Sequence, residues 1–341
     1  MPTPAPQSLA PVRWGVLGAS RFALNVSLPA MRGGPLTQLA ALASRDGDKA
    51  RQAAAALGIP TTYGTYEELL ADPSIEVVYN PLPNHLHVEW TARAARAGKH
   101  VLCEKPIALD ARQAETLVAV QRETGKLIAE AFMVRYHPHW QQARAWIREG
   151  RIGDLCSVQT GFSYFNRDAG NIRNNKDSGG GALYDIGCYT VNTARFLFGR
   201  EPVRAVAALE RDPAFGTDRL TSGVVDFGGG HLSFTVSTQA VPYQRVNVLG
   251  TKGRIEVEIP FNAPNDRPCR VFLDDGSQLG GRSAVETSFP IADQYQLQSE
   301  AFSRAVRTGS PLETPLEDAV ANMRVLDALF RSGESGRWEP V

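Results

Sequence analysis

Apolar positions along the first 134 residues come in short runs that alternate with amphipathic stretches, the rhythm of strands joined by helices. Residues 12–17, 36–43, 75–79, the run beginning at Val101, and 127–132 each read as a buried strand. Between them, 22–31, 46–57, 66–71, 84–97 and 110–124 read as helices, with Gly58, Gly98 and Gly125 closing three of them. Such alternation predicts a parallel sheet with right-handed crossovers.

After a helix at 138–149 the pattern changes. Residues 155–165, 203–209, 220–227, 231–238, 243–249, 254–259 and 270–273 read as strands separated by turn residues, and helices at 293–308 and 315–331 end the chain. The expectation is an α/β protein in three parts. A loose Pro- and Ala-rich arm covers 1–11, a dinucleotide-type domain 12–134, and an α+β domain with a large, mostly antiparallel open sheet 135–341, the last helices packing back on the first domain.

Composition narrows the function. A chain of 341 residues with 43% hydrophobic and 21% charged residues can build two cores. Thirty-six basic residues balance thirty-six acidic ones, so no long-range field draws nucleic acid or an anionic membrane, and the expected partner is a small molecule. No apolar stretch approaches the roughly 20 residues of a membrane span, and the start lacks the basic-then-apolar order of an export signal, so a cytoplasmic location is expected. Cys103, Cys156, Cys188 and Cys269 are far apart in sequence. His85 with His87, and His137 with His139, are i, i+2 pairs that would point apart on a helix. No metal site is expected.

The segment Gly15-Val16-Leu17-Gly18-Ala19-Ser20-Arg21-Phe22-Ala23 joins the first strand to the first helix. Gly18 permits a tight turn, Ser20 is small enough for a pyrophosphate to approach, and Ala23 permits close packing of helix on sheet. The helix start offers free N–H groups to phosphate, which makes the first domain a Rossmann dinucleotide site. The second strand ends Ala43-Ser44-Arg45 where an NAD reader carries an acid. Arg45 and Ser44 suit a 2′-phosphate instead, so the expected cofactor is NADP.

Glu104-Lys105-Pro106 follows the Val101 run, where strand ends meet ligand in such a sheet. In the second domain, Ser178-Gly179-Gly180-Gly181-Ala182-Leu183-Tyr184-Asp185-Ile186-Gly187-Cys188-Tyr189 leads into a helix. The glycines would let backbone approach a ligand, and Asp185 and Tyr189 lie one helical turn apart. A tyrosine titrates near 10, so acid–base work at neutral pH requires a cation beside it. Lys105 is the candidate. Arg135, His137, Tyr164, Asn166, Asn171, Arg173 and Asn174, with Asp185 and Tyr189, form a polar set able to bind sugar hydroxyls.

Residues 15–23, 103–106, 130–138 (Glu-Ala-Phe-Met-Val-Arg-Tyr-His-Pro), 179–189 and 315–323 occur in the order of the glucose-fructose oxidoreductase and inositol dehydrogenase (Gfo/Idh/MocA) family, which the chain resembles over nearly its whole length. Its tyrosine segment and residues 130–138 look most like the aldose dehydrogenases and the aldose-aldose oxidoreductase. The resemblance implies catalytic Lys105 and Tyr189 supported by Asp185, a cis Lys105–Pro106 bond, and a second-domain sheet whose face covers the nicotinamide. Cofactor contacts implied are Gly18 to Phe22, Ser44, Arg45, Glu104 and Lys105, with Pro81, Leu82, Asn84 and His85 at the nicotinamide ribose. Ser20 stands where a second turn glycine is usual, and Tyr189 where many members carry histidine, which points away from the inositol branch. The activity implied is oxidation of an aldopyranose at C1 to an aldonolactone, with coupled reduction of a second aldose by the same bound cofactor. Reduction of a dicarbonyl sugar, oxidation of a trans-dihydrodiol, and non-catalytic NADP or sugar sensing are the alternatives, and the second sheet is a surface on which copies could associate.

Overall fold

The computed structural model describes residues 9–341. Of the expected arm at 1–11, residues 1–8 lie outside the described residues, while the carbonyls of Ala10 and Pro11 accept hydrogen bonds from Arg307.

The first domain is a six-stranded parallel sheet of β1 (Val12–Leu17), β2 (Thr37–Ala43), β3 (Thr61–Tyr63), β4 (Val77–Asn80), β5 (His100–Glu104) and β6 (Ile128–Ala131). Its order, β3-β2-β1-β4-β5-β6, is the doubly wound Rossmann order. Strands β1, β2 and β4 are buried on both faces over almost their whole length, which explains their apolar runs. They are covered by α1 (Leu28–Arg32), α2 (Gly47–Leu57), α3 (Tyr66–Ala71), α4 (His87–Arg96) and α5 (Ala111–Thr124).

In the second domain α6 (Pro138–Arg148) and α7 (Cys188–Phe198) lie against a nine-stranded sheet of β7 (Leu155–Phe165), β8 (Arg204–Arg211), β9 (Asp218–Asp226), β10 (His231–Ser237), β11 (Gln239–Gly250), β12 (Arg254–Val257), β13 (Cys269–Asp274), β14 (Val285–Phe289) and β15 (Glu339–Pro340). The order is β14-β13-β12-β11-β7-β10-β9-β8-β15, antiparallel throughout except where β7 meets β10. Sequence periodicity missed β3, β14 and β15, which are short or lie at a sheet edge with exposed side chains and so lack an apolar repeat.

Two terminal helices, α8 (Gln294–Thr308) and α9 (Leu316–Ser335), bind the halves together. Phe302 of α8 packs on Trp14 of β1, whose indole N–H donates to Ser303 Oγ at 3.1 Å. Asp327 of α9 accepts from the backbone N–H of Ala111 at 2.9 Å. One apolar core lies beneath α2 and α8, and a second runs unbroken from the other face of the parallel sheet to the helix-covered face of the nine-stranded one. Among the described residues no helix is long and apolar enough to cross a membrane.

Candidate functional site

The turn after β1 is built around Gly18, at φ +80°, whose N–H donates to the Ala43 carbonyl at 2.7 Å. A Cβ there would lie 2.9 Å from Leu82 Cδ2 in a backbone region side chains avoid, so glycine lets the turn sit under Leu82. Ser20, in place of a glycine, accepts the Ala23 N–H on its hydroxyl at 3.1 Å and so caps the helix start. Ala23 is fully buried, as close packing on the sheet requires. The expected helix at 22–31 opens as a π-helical turn, Ala23–Ser27, before α1, and α7 is likewise preceded by a π turn, Leu183–Gly187. Such turns cluster at functional sites.

Beyond β2, Ser44 is buried and Arg45 exposed. Burial raises the Tyr66 phenol while the Arg45 guanidinium beside it pulls the other way. Asp46 caps α2 by accepting the N–H groups of Asp48 and Lys49, both at 3.1 Å.

A cavity of about 830 Å³ separates this turn from the second domain. Of the expected cofactor residues, Ser20, Arg21, Phe22, Pro81, Leu82, Asn84, Glu104 and Lys105 line it, whereas Gly18, Ala19, Ser44, Arg45 and His85 do not. His85 points to solvent, and its neighbour His87 borders the cavity instead, its ring 2.7 Å from both the Pro106 and Leu82 carbonyls. Lys49 also lines the cavity and was missed. A second cation four residues after Arg45, in the first turn of α2, was the available signal.

At the far end β5 delivers Lys105, joined to Pro106 by a cis peptide bond. Its ammonium donates to the Asp185 carbonyl at 2.7 Å and to Asp185 Oδ1 at 3.2 Å, and lies 4.8 Å from the centre of the Tyr189 ring. Asp185 Oδ2 accepts from the Tyr164 hydroxyl at 2.6 Å and from Arg173 Nε at 2.9 Å. Burial favours a protonated Asp185, but Arg173, Lys105 and Tyr164 outweigh it and hold the carboxyl well below the usual range. Burial would discharge Lys105, and Asp185 keeps it above its ordinary value.

Tyr189 corrects one expectation. Lys105 stands over its ring face rather than at its hydroxyl, which reaches Met133 Sδ at 3.6 Å. Burial first, then the neighbouring carboxyl groups of Glu104 and Asp185, push the phenol well above 10, so here it holds its proton.

Of the glycines before Asp185, Gly179 and Gly180 line the cavity, whereas Gly181 serves differently from what was expected. Gly181, at φ +123°, lies where a Cβ would be 2.0 Å from Asp218 Oδ1, so its close approach is to protein. The other oxygen of that buried carboxylate accepts the Leu183 N–H at 2.7 Å, fixing the turn that carries Asp185.

Among the expected sugar-binding residues, Tyr164, Asn166, Asn171, Arg173, Asp185 and Tyr189 line the cavity. Three do not. Arg135 is buried, bonding Asn192 Oδ1 at 2.7 Å and Asp318 at 3.1 Å. Asn174 is buried and donates to the Asp168 carbonyl at 2.9 Å, shaping the loop. His137 is buried against Cys269. In each case burial and a protein partner remove the polar atoms from the cavity. Phe162, Gln244, Asn262 and Tyr295 line it without having been foreseen, because distant strands and α8 bring them in. The two lips meet where Asn84 Nδ2 donates to the Gly179 carbonyl at 2.8 Å.

The histidine pair at 137 and 139 does not point apart. His137 is extended, at ψ 136°, and caps α6 through Nδ1, so it lies outside the helix and its ring centre comes 4.1 Å from that of His139. One ligand atom from each of His137, His139 and Cys269 falls within 4.8 Å of the others.

Residues 12–132 match the model of an oxidoreductase family with an NAD-binding Rossmann fold, and residues 140–256 match the GFO/IDH/MocA C-terminal domain. The NADP-dependent D-xylose 1-dehydrogenase 2 of Haloferax volcanii is 37% identical over 328 residues, 95% of this chain and 98% of the relative. The 3-ketoreductase KijD10 of Actinomadura kijaniata, solved with NADP and TDP-benzene, superposes with a TM-score of 0.88 at 32% identity, covering 94% of this chain and 98% of that one. The aldose-aldose oxidoreductase of Caulobacter crescentus, solved with glycerol, gives 0.88 at 27% identity over 97% and 100%. With both domains matched and a relative of that identity aligned almost end to end, the chain belongs to the GFO/IDH/MocA family of oxidoreductases.

Proposed function

We propose that the protein is an NADP-dependent oxidoreductase that oxidises the C1 hydroxyl of an aldopyranose to the aldonolactone. The observation that carries this reading is a single cavity with the Gly18 turn at one end and Lys105, Asp185 and Tyr189 at the other. The turn fits a dinucleotide: glycine alone suits its backbone, a helix begins directly after it, and Arg45 and Lys49 follow β2. When bound, the nicotinamide accepts or returns a hydride.

Tyr189 takes the proton of the substrate hydroxyl in oxidation and gives one to the carbonyl in reduction. In the oxidising direction Lys105, 4.8 Å from the ring centre, and Arg173, whose charge pulls the phenol down, are the cations that offset the negative charge left as the proton moves on. Asp185, charged and tied to both, fixes their positions and keeps Lys105 an ammonium that can stabilise developing charge on the substrate oxygen. Asn166, Asn171 and Tyr164 offer paired donors and acceptors to further hydroxyls.

Reduction of a keto-sugar is the second reading. The protonated Tyr189 favours it, as does the likeness to a 3-ketoreductase. The aldose-aldose likeness supports a version in which one site runs both half-reactions on a retained cofactor. The open sheet face, with Tyr243 and Val241 exposed, would seat a second copy of the chain, which analytical ultracentrifugation would detect.

Purified protein with NADP and a panel of aldoses, followed by NADPH absorbance and by lactone chromatography, tests the first reading, and NADPH with 3-keto-sugars tests the second. Tyr189→Phe and Lys105→Met should each lower turnover by roughly two to four decades with the circular dichroism spectrum unchanged. Wild-type activity in either variant removes that residue from the chemistry.

A further inference from the structure

At the start of α6, outside the lining of the cavity, His137, His139 and Cys269 converge from two separate stretches of chain. All three are buried: both histidines have no accessible surface, and Cys269 retains 7%. Neither ring nitrogen of His139 makes a hydrogen bond of good geometry, the neighbouring Pro260 carbonyl already accepting the Trp140 indole N–H at 2.7 Å. A histidine wholly withdrawn from water with neither nitrogen well paired forfeits hydration for little return, an arrangement native proteins seldom keep without an ion or a bound molecule to complete it. Its neighbours point at what that ligand is. His137 Nε2 lies 3.8 Å from Cys269 Sγ, and the Pro264 carbonyl lies 3.8 Å from the same sulfur.

We infer that His137, His139 and Cys269 form a binding site for a d¹⁰ metal ion of borderline or soft character, Zn²⁺ or Cu⁺. Two imidazoles and one thiolate match such ions, and the trio holds no carboxylate of the kind that selects Ca²⁺ or Mg²⁺. Ligand atoms around Zn²⁺, at bond lengths of about 2.0 to 2.3 Å, stand roughly 3.4 to 3.8 Å apart. The observed separations, up to 4.8 Å, close to that range with side-chain adjustments of about an ångström. Binding releases the Cys269 thiol proton to solvent. It also moves the His137 ring proton from Nε2 to Nδ1, giving up the long 3.3 Å capping bond from the His139 N–H. The fourth position falls to the Pro264 carbonyl or to water.

The site does not depend on the proposed reaction, and none of its ligands touches the cavity. Cys156 is an exposed thiol that could take up metal on its own, so Cys156→Ser is the reference protein. Dialysed against Zn²⁺, or loaded with Cu⁺ under reducing conditions, the reference should retain one equivalent per chain, and the two arms identify the ion. Co²⁺ as a probe should give thiolate-to-cobalt charge-transfer absorption in the near ultraviolet. Adding Cys269→Ser should abolish retention and absorption together while the circular dichroism spectrum is unchanged. His139→Phe fills the same space with an apolar ring beside Trp140. It should also lose the metal while melting no lower than the metal-free reference, which guards against reading misfolding as lost binding. If the reference retains neither ion, or if Cys269→Ser keeps the cobalt absorption, the three residues are packing and the inference fails.

Discussion

Individual side chains decide the chemistry here through what surrounds them. Glu130 ends in the apolar interior, one oxygen accepting the Ile107 N–H at 2.7 Å and the other without a partner, and burial pushes its carboxyl up to about 8 from an ordinary 4.5. A carboxyl raised in the fold binds its proton more tightly there than in the unfolded chain. Its stabilising contribution is therefore complete below about 4.5 and lost as pH rises through 8. Wild type should lose stability relative to Glu130→Gln between pH 5 and 9, as urea unfolding at each pH would show, and parallel curves would refute the assignment. At the other end, Arg45→Asp places a negative charge beside a 2′-phosphate and should turn the NADP to NAD preference by roughly tenfold or more, whereas Lys49→Ala should weaken NADP alone. Calorimetric titration with each nucleotide distinguishes the two residues, and unchanged ratios would mean that neither reads the phosphate.

Elements carry these residues into register. The π turn at Leu183–Gly187 presents Asp185 to the cavity because Asp218, on β9, holds the Leu183 N–H while Gly181 gives way to it. Gly181→Ala would force both a strained backbone and a clash with that carboxylate, costing roughly 2 kcal/mol or more. Turnover should fall more than nucleotide affinity does, since the nucleotide turn stands on another domain; equal losses in both would mean general unfolding. In α8, Phe302 is almost fully buried on Trp14. Phe302→Ala should cost about 3 to 5 kcal/mol in chemical denaturation, a core-sized loss from a residue near the chain's end.

At the scale of the whole molecule, the cavity is closed on two sides by different domains, with Asn84 and Gly179 joined across the lips and Arg21 4.0 Å from Asp168. Enclosure between two domains is the arrangement that a retained nucleotide would require. If the nucleotide stays bound, purified protein given only an aldose and no added cofactor should form alditol and aldonic acid in equal amounts. Product formed solely in proportion to added NADP would identify a conventional dehydrogenase with an exchanging cofactor.

Much of this was already written in local sequence. Runs such as Val12–Leu17 are apolar because parallel strands are buried on both faces, and the glycine turn, Arg45, Lys105 and the Asp185–Tyr189 segment are local features whose chemistry a reader can name without coordinates. Tertiary structure decided the rest. Whether Arg135, Asn174 and His137 serve substrate or scaffold depends on partners as remote as Asp318 and Cys269, and no local pattern encodes those meetings. Phe162, Gln244 and Tyr295 reach the cavity only because strands and a helix far apart in the chain converge there. The state of Tyr189 follows from the same cause. Sequence places a tyrosine one turn from an aspartate, but its proton is held by burial and by the carboxyl groups of Glu104 on β5 and Asp185 in the π turn, and that enclosure exists only once the chain has folded.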